Sequence, residues 1–206
     1  MIQAVKAAAK DGDSLGGVAE VLAYGVPVGL GSHVHWDRKI DAALAQALMS
    51  IQAVKAVEIG EGFDIAARRG SAAHDAITYD HKEGYVRPTA RAGGIEGGIT
   101  NGSLVVARVA MKPLATLNRP VLETVDMATK ESTVSFRERT DVTAVPAMGV
   151  VAETMTALVL ASEALRKFGG DSMAEVLRNR DGYLAALAQT PSAALGPARP
   201  TPPRAQ

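Results

Sequence analysis

The 206-residue chain balances 22 Lys and Arg against 22 Asp and Glu, so its formal net charge at pH 7 is zero. This balance excludes the basic field typical of nucleic-acid binding, and the absence of cysteine excludes disulfides and thiolate metal sites. Hydrophobic residues make up 47% and charged residues 21%, which is typical of a globular domain. Because cysteine is absent and the N-terminus lacks a basic segment followed by an apolar core, we expect a cytoplasmic protein without a secretory signal.

The first half of the chain predicts helices alternating with short β-segments. These elements are a helix over 2–10, a strand with a bend over 18–31, a helix over about 38–54, a short strand over 57–59, and a hairpin or surface loop over 78–89. Ile40, Leu44 and Leu48 recur every fourth residue, which places them on one face of the second helix. Asp37 is a good N-cap for that helix.

A glycine-rich stretch follows, with five of the 20 glycines within residues 92–102. Such density is expected where the main chain takes positive φ or comes very close to another group. Two interpretations stay open from the residues alone, a tight turn with a bulge and a cradle for an anionic or planar ligand. The stretch does not match a dinucleotide-binding fingerprint, because its glycines come in pairs and a strand follows.

The second half predicts more strands and then two long helices. They are strands over 104–111, 120–127 and 133–139, and helices over 146–168 and 173–188. Antiparallel strand groups separated by long helices indicate an α+β domain over residues 1–188, and the proline-rich residues 189–206 predict a disordered tail. Residues 143–161 are apolar enough for a membrane span, but Pro146 and Glu153 favour a helix buried in the core or in a subunit interface.

Several polar residues beyond the glycines are candidates for a binding site. Lys112 and Thr116 are spaced to reach one phosphate, or else mark a solvated strand end. Arg139 suits bidentate binding of a carboxylate or phosphate, and Asp141 suits either proton acceptance or, as we favour from the residues alone, helix capping. His33 and His35 fit a polar loop better than a metal site, because no further ligand lies near them in sequence.

These segments together resemble the C-terminal half of the chorismate synthase family, in its actinobacterial form. The resemblance lies in Gly93–Gly102, in Lys112-Pro113 and in Arg139-Thr140-Asp141 followed by Ala144-Val145-Pro146-Ala147, and it runs from about Asp13 to Tyr183. It implies a β-α-β sandwich, with long helices between antiparallel sheets, and a homotetramer. It also implies a 1,4-anti elimination of phosphate from 5-enolpyruvylshikimate 3-phosphate, which yields chorismate in the shikimate pathway and needs reduced FMN. The family is further associated with NADP.

By this resemblance, Asp141 is the residue that assists proton handling at the flavin. The residues expected to contact FMN are Gln52, Ala53, Gly97, Lys112, Pro113, Leu114, Ala115, Thr116 and Arg139. Thr140 stands where the family usually has serine, which keeps the hydroxyl. Glu96, so near an anionic cofactor, is expected to point away or to pair with a cation such as Arg91.

The resemblance covers only part of the family's catalytic machinery. The family's catalytic histidines and substrate-binding arginines lie in its N-terminal half, and no segment of this sequence matches them. We therefore expect the 206 residues to be inactive by themselves. The alternative hypothesis is a non-catalytic flavin-binding or oligomerisation module derived from the same fold.

Overall fold

The computed structural model describes residues 1–82 and 84–188 and contains helices and antiparallel strands. The helices are α1 (Ile2–Asp11), α2 (Ile40–Met49), α3 (Phe63–Ala66), α4 (Gly70–Ala73), α5 (Val145–Phe168) and α6 (Met173–Ala188). The strands are β1 (Gly17–Ala23), β2 (Val54–Ile59), β3 (Thr78–Asp80), β4 (Gly84–Val86), β5 (Ile95–Glu96), β6 (Ile99–Thr100), β7 (Val105–Met111), β8 (Glu123–Val125) and β9 (Ser132–Val134). The fold is therefore α+β, as predicted. The chain forms two compact units, one through Glu163 and one from Ala164 onward.

A three-stranded antiparallel sheet organises the first unit. The central strand β7 pairs with β1 on one side and with β2 on the other. Along β7, the buried residues alternate with the partly exposed ones, so Val105, Ala107, Val109 and Met111 all face the core. This alternation confirms the predicted strand, because successive side chains of a strand point to opposite faces of the sheet.

Two helices contribute to the core of the first unit. Leu48 of α2 packs in the same hydrophobic cluster as Met148 and Ala152 of α5 and as Ala107, Val109 and Met111 of β7. Ile40, Leu44 and Leu48 are fully buried, which confirms the predicted face of α2. Burial of such a stripe removes apolar surface from water and supplies the main favourable term for docking the helix.

The predicted start and end of α2 were wrong. Residues Trp36–Arg38 form a 3-10 helix, and Lys39 is extended with φ −62° and ψ 133°, so α2 begins at Ile40 and Asp37 is not its N-cap. The helix ends at Met49 rather than near 54, because Ala53 has a positive φ of 64° and Val54 already belongs to β2.

Three predicted strands were too long. β1 ends at Ala23, two residues before Gly25 with its φ of 69°, and beyond it only an isolated bridge joins Gly31 to Ile99. β8 and β9 span three residues each and form a hairpin, as β3 and β4 do where residues 78–89 predicted one. The predicted tail over 189–206 lies outside the described residues.

Within the described residues, α5 is the one helix long and apolar enough to cross a membrane by length and composition. Its residues Met148 and Ala152 are buried in the protein core beneath the sheet. Only 17% of the most apolar 18-residue stretch of α5 is buried, so the predicted burial of this helix holds for one side of it and the other side is exposed.

In the second unit, α6 packs back on the end of α5. The rings of Phe168 and Tyr183 lie 5.9 Å apart between centroids, and Asn179 Nδ2 donates to the carbonyl of Phe168 at 2.8 Å. Gly169 and Gly170, with φ of 60° and 109°, make the turn between the two helices.

Candidate active site

The candidate site lies at the edge of the sheet where β2 begins and β7 ends. The amide of Lys112 donates to the carbonyl of Ala53 at 2.9 Å, so Gln52-Ala53 and Lys112-Pro113 lie side by side. Ala53 adopts a φ of 64°, in the left-handed region that alanine rarely visits, and a β-bulge follows it between Val54 and Ala56. Irregular backbone of this kind is common beside functional sites.

A third segment joins this edge. The hydroxyls of Thr116 and Thr140 lie 3.0 Å apart and hydrogen bond, and the amide of Glu138 donates to the carbonyl of Leu117 at 2.9 Å. Residues 112–116 and 139–141 are thereby held next to each other. The structure thus brings together all the predicted FMN-contacting residues except one.

The exception is Gly97, which lies at the opposite end of α2. The carbonyl of Gly98 accepts from the amide of Ile40, the first residue of α2, whereas Gln52 lies just beyond its last residue, Met49. A ten-residue helix spans about 15 Å. Gly97 is therefore separated from the Lys112 edge by about the length of α2.

The glycine-rich stretch forms a tight hairpin of β5 and β6. Gly97 and Gly98 connect the two strands with φ of 62° and 82°, and positive φ at both positions is the signature of a type I′ turn. A side chain at Gly93 would lie 2.4 Å from the amide nitrogen of Gly60, and one at Gly94 would lie 2.4 Å from the carbonyl oxygen of Leu104. Close packing within the chain thus accounts for these glycines, whereas a side chain at Gly97 would meet open space.

Glu96 pairs with a different cation from the one expected. Its carboxylate lies 2.7 Å from Arg87 Nη2 and accepts from Asn101 Nδ2 at 2.8 Å, while Arg91 donates to the carbonyl of His74. The expected Arg91 pairing was therefore wrong, although pairing with a cation was correct. A pocket of about 470 Å³ lies beside this hairpin, and none of the predicted site residues lines it; its lining is Val28, Ile77, Tyr85, Arg87, Glu96, Ile99, Thr100 and Asn101.

Arg139 and Asp141 form an exposed ion pair at the site. Arg139 Nη1 lies 3.2 Å from Asp141 Oδ1, and the two side chains are 85% and 71% exposed. The helix-cap interpretation of Asp141 was wrong, since its carboxylate pairs with Arg139 and the hydroxyl of Thr143 accepts from the first amide of α5, that of Val145, at 3.3 Å. Such an exposed pair adds little stability, so both side chains are available for a ligand.

The donor set at this edge fits a phosphate group. The ammonium of Lys112, the guanidinium of Arg139 and the hydroxyl of Thr116 are all groups that bind phosphate oxygens, and Lys112 and Arg139 are exposed. Among the described residues, no cluster of three or more His, Asp or Glu side chains is placed to hold a metal ion. The cationic and hydroxyl groups at this edge are thus of the kind that bind anions.

Sequence reasoning missed Asp75, which anchors the glycine stretch. This carboxylate is buried and accepts from the hydroxyl of Thr89 and from the amides of Arg91 and Ala92, both at 3.0 Å. Burial by itself would raise the pKa of Asp75, but the hydrogen bonds from Ala92, Thr89 and Arg91 together outweigh it and hold that pKa below its usual value. Nothing in the sequence marks this residue, because its partners lie 14 to 17 positions away.

Comparisons with known proteins agree with the resemblance seen in the sequence. The chorismate synthase family model matches residues 1–165. The chain is 62% identical over 188 residues to a chorismate synthase of Saccharopolyspora erythraea and 60% identical over 187 residues to one of Salinispora tropica. Each alignment covers 91% of this chain and 47% of the relative.

A solved chorismate synthase structure shares the fold. Its TM-score is 0.75 at 45% sequence identity, and the alignment covers 90% of this chain and 48% of that one. The chain thus spans about half the length of the curated relatives and of the solved structure that it matches.

Proposed function

Because the chain belongs to the chorismate synthase family, we propose that it is the part of a chorismate synthase that binds the phosphate end of reduced FMN. The reaction proposed for the whole protein is the elimination of phosphate from 5-enolpyruvylshikimate 3-phosphate to give chorismate, in aromatic amino acid biosynthesis. The protein is then a carbon–oxygen lyase, and its substrate is a small phosphorylated dicarboxylate.

The convergence of three distant segments supports this proposal. Gln52-Ala53, Lys112–Thr116 and Arg139–Asp141 meet through the Lys112–Ala53 and Thr116–Thr140 hydrogen bonds. Cofactor and substrate both carry phosphate, and the substrate also carries carboxylates, so the site must offset much negative charge. Lys112 and Arg139 bring positive charge to the edge where those segments meet.

Reduced FMN, when bound, would lend electron density to the substrate and recover it, so that the reaction is redox-neutral. Lys112, Thr116 and Arg139 would hold phosphate oxygens, and the irregular backbone at Ala53 would let the cofactor approach the main chain. Asp141, kept near the site by its pair with Arg139, would accept a proton at a carboxylate oxygen. The proposed role of Gly97 requires a contact away from this edge.

Flavin titration tests the phosphate-binding role. FMN and riboflavin differ only by the phosphate, so Lys112→Ala is expected to weaken FMN about tenfold, as the loss of a charge-assisted hydrogen bond would, and to leave riboflavin unchanged. Lys6→Ala, which removes an exposed lysine from α1, is the matched control and should change neither affinity. Equal effects of Lys112→Ala on both flavins would contradict the proposal.

A turnover assay tests the enzymatic part. We expect the 206 residues to show no chorismate formation with reduced FMN and the phosphorylated substrate, and to gain it when the N-terminal half of the Saccharopolyspora relative is added. Turnover by the 206 residues alone would show that the expected inactivity is wrong. Stable flavin binding without turnover in either case would instead favour the non-catalytic module.

We further propose that the protein is cytoplasmic and that the complete protein is a homotetramer.

A further inference from the structure

The turn at residues 14–16, which connects α1 to β1, contacts two of the three segments that form the candidate site. Ser14 is 6% exposed, and its hydroxyl donates to the carbonyl of Leu114 at 2.6 Å. The next amide, that of Leu15, donates to the carbonyl of Val142 at 2.6 Å. The turn therefore contacts both the 112–116 loop and the segment that carries Arg139 and Asp141.

The following glycine lets the turn approach the loop at backbone distance. A side chain at Gly16 would lie 2.3 Å from the carbonyl oxygen of Met111 and 2.9 Å from the nitrogen of Pro113. The residue before the turn is anchored as well, since Asp13 accepts from the amide of Ser14 at 2.8 Å and pairs with Arg119. The contacts with residues 111 to 114 and with Arg119 thus fall on both sides of Thr116 and hold the loop at each end.

We propose that Ser14 is a positioning residue for the phosphate-binding loop. Leu114 lies midway between Lys112 and Thr116, so the position of its carbonyl sets where both of those side chains emerge. Ser14 itself contacts neither the proposed phosphate nor the substrate; it acts through Leu114. This inference rests on the proposed flavin function, and the tests below separate the two.

The first test compares FMN with riboflavin in Ser14→Ala. We expect FMN affinity to fall about tenfold, as for Lys112→Ala, and riboflavin affinity to stay unchanged, because only the phosphate contacts move. Thr154→Ala is the matched control, since it also removes a hydroxyl that donates to a carbonyl, that of Val150 at 2.9 Å, but on the exposed side of α5. A loss of thermal stability in Ser14→Ala with an unchanged ratio of the two affinities would overturn the proposal.

The second test does not need flavin. The amides of Lys112 and Glu138 are held by the carbonyls of Ala53 and Leu117, so hydrogen exchange reports whether both segments stay in place. In Ser14→Ala, exchange at these amides should rise by about tenfold or more, while the amide of Asn101, bonded to Gly94 beside β6, should stay at its wild-type rate.

The outcomes of the two tests are distinct. Unchanged exchange at Lys112 and Glu138 would overturn the positioning role whether or not flavin binds. If the wild-type chain binds FMN no better than riboflavin, the proposed flavin function fails; a local rise in exchange at those two amides would still establish that Ser14 positions the loop.

Discussion

Ala53 stores backbone strain at the candidate site. Its φ of 64° costs a residue with a Cβ about 1–2 kcal/mol, which glycine avoids. We therefore predict that Ala53→Gly raises the free energy of unfolding, by about 0.5–1 kcal/mol once the extra entropy of unfolded glycine is subtracted. Chemical denaturation monitored by circular dichroism measures this change.

The control for this prediction is the same substitution at an ordinary helical position. Ala45 lies within α2, where replacing alanine by glycine should lower the free energy of unfolding by about 1 kcal/mol. Opposite signs at the two positions are expected. If Ala53→Gly destabilises the protein as Ala45→Gly does, the strain at Ala53 is absent in solution.

Asp75 makes the free energy of unfolding depend on pH in the acid range. Its pKa lies below the usual value in the folded chain, so its contribution is fully present above the unfolded-state pKa and is lost as pH falls through the folded-state pKa. Asp75→Asn should lower stability at pH 7 by about 1–3 kcal/mol, since the partly buried donors of Thr89, Arg91 and Ala92 lose an ionised acceptor.

Stability measured against pH checks the effect of Asp75. The difference between wild type and Asp75→Asn should be largest near neutral pH and should shrink below about pH 4, where an ordinary unfolded carboxylate becomes protonated. Asp41→Asn is a suitable control, because that carboxylate accepts a solvent-exposed hydrogen bond from the adjacent amide of Ala42 rather than from a buried set of donors. A difference that stays constant between pH 7 and pH 3 would rule out the ionised carboxylate as the cause.

At the scale of the elements, two substitutions in the β5–β6 hairpin distinguish a role of Gly97 in the turn from a role in contacting a ligand. Valine strongly disfavours the φ of 62° at this position, whereas asparagine tolerates it, and a side chain here has open space. We predict that Gly97→Val costs about 1–2 kcal/mol of stability and that Gly97→Asn costs less than about 0.5 kcal/mol.

Flavin titration of the same two variants decides the ligand role of Gly97. If Gly97 approaches FMN, both variants should weaken binding, because any side chain would occupy the contact. If only the turn matters, Gly97→Asn should bind FMN as the wild type does. That second result would remove Gly97 from the proposed site and leave the Lys112 edge as the flavin contact.

The elements that could be predicted from sequence are those governed by local periodicity. The alternation of residues along β7 predicts the strand whose every second residue faces the core, and the four-residue spacing of Ile40, Leu44 and Leu48 predicts the buried face of α2. The predicted start of α2 was wrong because Asp37, a favourable N-cap by residue type, lies within a 3-10 helix instead. Local propensity is weak against such context.

The site was accessible to sequence reasoning only in part. Residue type and resemblance make Lys112, Arg139 and Asp141 candidates, but the contacts that place their segments, Lys112 with Ala53 and Thr116 with Thr140, join residues far apart in sequence. The hydroxyl of Ser14 donates to a carbonyl 100 positions away, and no local sequence pattern predicts a contact over that separation. The glycine pair Gly16-Gly17, just after a helix stop, is the sequence feature there that is typical of close backbone packing.

At the scale of the whole molecule, the chain exposes apolar surface on two sides of its core. On α5, Val150, Val151 and Leu158 face outward, opposite the residues that pack beneath the sheet. On the other face of the sheet, Val18 and Leu22 are exposed, and Phe63 lies beside Val18. Because the chain spans only about half the length of its relatives, we expect such surfaces to be covered in a complete assembly.

The outward face of α5 should therefore make the 206-residue chain associate with itself. Leu158 is 58% exposed, so Leu158→Glu should leave the core intact while placing a charge where another chain would pack. Burial of a leucine contributes about 1.5–3 kcal/mol, so the substitution should weaken self-association by at least about tenfold, as measured by analytical ultracentrifugation over a range of concentrations. Gln46→Glu adds the same charge at an exposed position of α2 and should leave association unchanged. A wild-type chain that stays monomeric at all concentrations would show that this face needs no partner, whereas equal effects of the two variants would point to net charge rather than to the α5 surface.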